Sequence, residues 1–140
     1  MPNRRKAKPA DVEKICTSLP EVALGITWGD RPTYTVPHRD KGRGFVLYRA
    51  PRKDAIDPAT GEEFDDLIVI RTANAEDKEA LVKDPSTPFF TIDHFRGYNA
   101  VLVQQSRLGE LTYDELAEVI TDAWRAVAPK KLVRQFDDVE

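Results

Sequence analysis

The sequence predicts an α+β domain built as one mainly antiparallel curved sheet of about six strands flanked by helices. Three observations carry this. Short β-favouring runs are joined by hairpin-length connections. An amphipathic helix precedes them, and a longer helix with an unbroken apolar stripe closes the chain. With 140 residues and 41% apolar content, the chain has the length to bury one core.

The elements follow in order. Residues 1–9 carry Arg4, Arg5, Lys6 and Lys8 and nothing large and apolar, so they read as a basic flexible tail ahead of a domain over 10–136. Asp11 is placed to cap a helix whose Val12, Ile15, Cys16 and Leu19 share one face, and Pro20 ends it. A hairpin should begin at Thr27-Trp28, turn at Gly29–Pro32 and return as Thr33–Val36. A glycine-containing basic turn over 36–44 leads to a strand at Phe45–Tyr48. Residues 49–66, with Pro51, Pro58 and Gly61 and a divided charge, read as a solvated surface insertion.

Leu67–Ile70 is a buried central strand, and Asn74 caps a short helix that Asp84-Pro85 stops. Phe89–Ile92 and Ala100–Val103 read as the last two strands, joined by a turn containing Gly97 and Asn99. Thr112 and Glu115 have capping-box spacing. Behind them Leu116, Ile120, Ala123, Trp124 and Val127 repeat at three and four. Pro129 ends that helix, one or two more turns follow to Phe136, and residues 137–140 form an acidic end.

The charge balance narrows the function. At 32% charged residues and net −3 the chain is too apolar for a disordered segment and lacks the basic excess of a dedicated nucleic-acid binder. Its lone Cys16 excludes an internal disulfide and reads as a small buried thiol. No run approaches the roughly 18 apolar residues of a membrane span, and the basic start is followed by no apolar segment. A cytoplasmic monomer without a membrane partner is expected.

No catalytic set converges. The two histidines and one cysteine do not make a zinc spacing, and the carboxylates of 54–66 do not follow a calcium loop, so no metal or other cofactor is expected. Ser18, Ser86 and Ser106 lie in no glycine elbow. Gly42-x-Gly44 lacks the third glycine and the helix of a dinucleotide site. The protein therefore reads as non-enzymatic.

Two binding constellations remain. Arg39, Lys41 and Arg43 on one turn, with Arg49, Arg52 and Lys53 beyond the next strand, form a basic set able to contact phosphates. This is the nucleic-acid candidate, for weak, salt-sensitive binding of double-stranded DNA. The alternative is a small-molecule or protein-partner pocket near Trp28 and His94, with Phe95 beside it.

Leu19-Pro20, Trp28-Gly29, Phe45-Val46-Leu47, the helix Lys78 to Val82, His94, Val101-Leu102-Val103 and the helix Leu116 to Ala128 stand in an order that resembles the MmcQ/YjbR family of small bacterial proteins. The likeness covers about residues 10–136. It implies a small antiparallel sheet flanked by helices, related in shape to phage double-wing domains, and it is that shape which attaches a DNA-binding label to such proteins. The chain departs from many relatives in the long loop 49–66, and in having Tyr98-Asn99-Ala100 where a tryptophan is common.

Overall fold

The computed structural model describes residues 4–27, 31–38 and 41–139. The chain runs α1 (Pro9–Ser18), β1 (Ala23–Thr27), β2 (Arg31–His38), β3 (Lys41–Tyr48), β4 (Leu67–Arg71), α2 (Ala75–Lys83), β5 (Ala100–Gln104), α3 (Tyr113–Val127) and α4 (Lys130–Val139). Short 3-10 turns occupy Asp93–Phe95 and Gln105–Glu110. The five strands form one antiparallel sheet in the order β1-β2-β3-β4-β5.

The α+β class holds, with five strands rather than about six. Phe89–Ile92 is not a strand. Only Phe90 pairs, exchanging both main-chain bonds with Leu102 at 2.9 and 2.8 Å. Pro88 denies the segment an N–H just before the pairing, and the 3-10 turn begins just after it. β1 starts at Ala23, earlier than Thr27, and pairs with β2 from Ala23↔Thr35 to Thr27↔Arg31.

Gly42 and Gly44 lie inside β3 rather than in a turn, because pairing with β2 continues to His38↔Lys41. Glycine is needed there for room. A Cβ on Gly44 would come within 2.8 Å of Thr33 Cγ2, and one on Gly42 within 3.2 Å of Thr35 Oγ1. A bulge at the same place slips the register between Tyr34 and Thr35, and both Phe45 and Val46 end up in the helix-side core.

The sheet is covered on both faces. On one side α3 crosses β3 and β4 and packs against α1. There Val36, Val46, Ile68, Ile70, Val101 and Val103 meet Leu116, Ile120 and Trp124, all at most 1% exposed. Trp124 Nε1 donates to Pro20 O at 3.2 Å, and its ring meets Phe136 of α4 at 5.1 Å. Buried in this core, Cys16 has its thiol pushed up to about 12 by desolvation, which makes it inert.

On the other side Leu67, Val69, Ala100 and Leu102 are covered by Ala55, Phe64, Phe90, Ile92 and Phe95. The loop 49–66 is thus a cover as well as a surface insertion. An Ile56↔Glu63 bridge closes it, buried Ala55 anchors it, and the Phe64 ring lies 5.4 Å from that of Phe90.

Two termini also differ from expectation. Residues 5–7, within the stretch read as a loose tail, are docked on the start of α3: Ala7 N donates to Leu111 O at 2.9 Å and Tyr113 N to Arg5 O at 2.8 Å. Asp11 is not the first cap of α1 but its third residue, behind Pro9, where it accepts from Lys8 N at 2.8 Å and from Arg5 Nη1 and Nη2 at 2.8 and 2.6 Å. The caps of α2 and α3 form as their sequence implies, with Asn74 accepting from Asp77 N and Thr112 and Glu115 bonding reciprocally.

The Arg5 hydrogen bonds hold the Asp11 carboxyl below its ordinary value, with the Lys8 amide assisting against the opposing effect of burial. A carboxylate whose folded value is depressed stabilises the fold above about pH 4, and that contribution disappears as pH falls through the folded value. Asp11→Asn should therefore lower the thermal midpoint at neutral pH, with the gap from wild type narrowing as pH falls below about 4. In the core, Leu116→Ala should cost about 2–5 kcal/mol in urea unfolding, against about 1 kcal/mol for Thr112→Ala at the α3 cap.

Candidate binding cleft on the outer face of the sheet

Covering the outer face is incomplete over β3. The loops reach Leu67, Val69 and Ala100 but leave a cleft of about 460 Å³ above β2 and β3, within the usual range for a small-ligand site. Its floor is Thr33, Gly42, Gly44, Leu47 and Val69, with the Thr33 hydroxyl as the one polar side-chain group of that set. Its walls are Arg49 and Arg52 on one loop, Phe95 and Tyr98 on another, and Arg71 at the end of β4. The described lining includes three arginines and no carboxylate.

The aromatic wall is held from behind. Lys78 of α2 is 9% exposed, and its Nζ donates to Phe95 O at 2.6 Å and Tyr98 O at 2.7 Å. Burial pulls its ammonium below the usual lysine range, a cost that the two carbonyl acceptors offset. Phe95 and Tyr98 then meet edge-to-face, with centroids 5.6 Å apart. Each ring also carries a guanidinium, Arg49 over Phe95 at 5.3 Å and Arg71 over Tyr98 at 5.4 Å, and Arg71 Nη2 donates to Tyr98 Oη at 3.3 Å.

Arg49 is the unusual member. Only 7% of its side chain is exposed. Its Nη2 donates to Asp54 Oδ2 at 2.8 Å, whereas Nη1 is fully buried and has no acceptor among the described residues. A buried, charged donor left unsatisfied carries a desolvation cost.

Among the described members of the basic set expected from the sequence, Arg43 is separated from Arg49, Arg52 and Lys53. Arg39 lies outside the described residues, as does the side chain of Lys41, which opens β3. Arg43 is exposed and pairs with Val36, whose side chain is buried against the helices, so Arg43 belongs to the helix side of the sheet. Arg49 is buried on the opposite side, Arg52 is exposed at the cleft, and Lys53 is exposed on the same loop. Of the expected pocket, Trp28 lies outside the described residues, as does the side chain of His94, whose main chain is in the turn Asp93–Phe95; Phe95 lines the cleft. Arg71, Tyr98 and Lys78 had no local signal, since their positions depend on a meeting of β4, α2 and the loop 93–99.

A second groove, of about 360 Å³, runs between α2 and α3 and has the opposite charge, with Asp77, Asp84, Glu115, Glu118 and Asp122 in its lining. Burial raises the Asp122 carboxyl above its ordinary value. No cluster of three or more His, Cys, Asp or Glu residues with metal-holding geometry occurs among the described residues, and no described helix is long and apolar enough to cross a membrane.

Comparison with known proteins gives a consistent lineage. Uncharacterized protein Mb2600 of Mycobacterium bovis and Uncharacterized protein Rv2570 of Mycobacterium tuberculosis are each 44% identical to it over 71 residues, 51% of this chain and 53% of theirs. The chain thus spans about half the length of these curated relatives. The crystal structure of Deinococcus radiodurans protein DR2400, which carries a DUF419 domain, matches with a TM-score of 0.58 over 84% of this chain and 75% of that one, at 16% identity; this is a likeness of fold. Residues 17–126 match the YjbR family, and at that coverage the chain belongs to it.

Proposed function

We propose that this YjbR-family protein is a non-enzymatic binding module that takes a small molecule in the outer-face cleft. The observation that carries the reading is the Lys78 clamp. A buried lysine is spent on fixing the carbonyls of Phe95 and Tyr98, the two aromatic residues of the cleft wall. A wall held in this way is preorganised, and preorganisation lowers the ordering cost of binding. The glycines of β3 point the same way, because side chains at 42 and 44 would project from the floor.

Duplex DNA is the competing partner. Its support is the exposed Arg43 and Lys53, and against it stand their separation onto different parts of the surface and the acidic α2–α3 groove. Phosphate contacts need positive charge concentrated on one footprint.

The test is an amide NMR titration with a panel of anionic, neutral and cationic one-ring fragments. Fragments of at least one class should shift Gly42, Gly44, Val69 and Ala100, and Tyr98→Ala, at an exposed wall residue, should weaken those shifts in a folded protein. Lys78→Met should weaken the same fragments several-fold and speed amide exchange at Arg96 and Tyr98, whose N–H groups bond within the wall. Silence from every fragment would overturn the reading. Duplex binding that falls on the order of a hundredfold between about 50 and 200 mM salt, and is lost in Arg43→Glu, would replace it with the nucleic-acid one.

A further inference from the structure

The cleft has a chemical preference beyond its shape. Arg49 is more than nine-tenths buried, lines the cleft, and commits only Nη2 to Asp54. Its Nη1 has no acceptor among the described residues. Stacking on Phe95 offsets part of the cost of burying the guanidinium but does not accept that N–H along a hydrogen bond. The atom has no accessible surface through which a ligand could reach it, so Arg49 acts on the cleft as a fixed positive charge.

The rest of the lining sets the preference. Arg52 and Arg71 line the same cleft, so the potential there is positive, and Asp54 offsets one of three guanidinium charges. A cation is disfavoured. A guanidinium presents its donors in a planar fork that matches the oxygens of a carboxylate or phosphate. Among the described residues the remaining lining adds apolar contact from Leu47, Val69, Ala100 and the glycines, hydroxyl-bearing Thr33 and Tyr48, and no further charge.

We propose that the ligand is a small organic oxyanion, a carboxylate or phosphate monoester on a compact apolar body, whose anionic oxygen accepts from Arg52 or Arg71, the two guanidinium groups of the lining with accessible surface. This rests on the cleft being a binding site, as proposed above. Arg49 adds to the field that favours the anion over its neutral isostere. Phe95, Tyr98 and the β3 floor hold the apolar body.

The experiment is calorimetric titration of the full chain with benzoate, phenyl phosphate, benzamide and benzylamine. Benzoate or phenyl phosphate should bind, and whichever of the two is tighter distinguishes a carboxylate site from a phosphate site. Benzamide should bind at least about tenfold more weakly, the worth of one charge-assisted hydrogen bond. Arg52→Gln and Arg71→Gln should each lose about tenfold in affinity for the anion and little for benzamide, and so reduce the preference for benzoate over benzamide. Equal binding of benzamide and benzoate overturns the oxyanion inference while leaving the cleft as a binding site. Tighter binding of benzylamine overturns it too. No binding by any of the four overturns both.

Discussion

Strands β4 and β5 are apolar on both faces, and that constraint shapes the rest of the molecule. Leu67 to Ile70 and Ala100 to Val103 are buried without alternation. In an antiparallel sheet such strands cannot leave one face to water, so both sides need a cover. Helices α1 and α3 supply one. The other comes from chain without regular structure, the loop 49–66 and the segment 86–99, which must bring its own apolar anchors: Ala55, Phe64, Phe90 and Phe95. The cover ends before β2 and β3 do. The cleft is the uncovered remainder of the outer face, and its composition follows from its position between two loops and a glycine-containing strand.

The same geometry accounts for its charge. A loop that folds back over a sheet edge carries its polar residues inward unless they reach water, and Arg49 does not reach it. The ion pair with Asp54 and the contact with Phe95 make its burial tolerable. Lys78 performs the corresponding service on the other wall, where two carbonyls of a turn would otherwise lack a donor. Two buried cations thus lie on opposite walls, one satisfied by main-chain oxygens and one only partly satisfied among the described residues.

Much of the fold was legible in the sequence. The apolar stripe of α3, its Thr112-Glu115 box, the Asn74 cap and the run Leu67–Ile70 each carry a local physical signature, and each forms as read. Phe89–Ile92 misled because β-favouring composition does not guarantee a partner; Phe90 alone reaches one. Gly42 and Gly44 misled in the other direction, because glycine signals a turn as often as a close strand approach. The site was less legible. Charge runs identify cations but not which face they occupy, and Arg43 and Arg49 differ by a bulge and a strand end. Nothing local distinguishes the buried Lys78 from the exposed Lys83 one turn or so later. Phe95 was placed in a pocket beside Trp28 and His94; it lines a cleft whose described walls are Arg49, Arg52, Arg71 and Tyr98.

The most direct test of a cleft built for an oxyanion is a crystal structure of the protein grown with benzoate. The carboxylate should lie within hydrogen-bonding reach of Arg52 or Arg71, about 2.7–2.9 Å for a charge-assisted contact, with the ring against Leu47 and Val69. Benzoate seated elsewhere, or seated in the cleft with its carboxylate away from both of these guanidinium groups, would contradict the account.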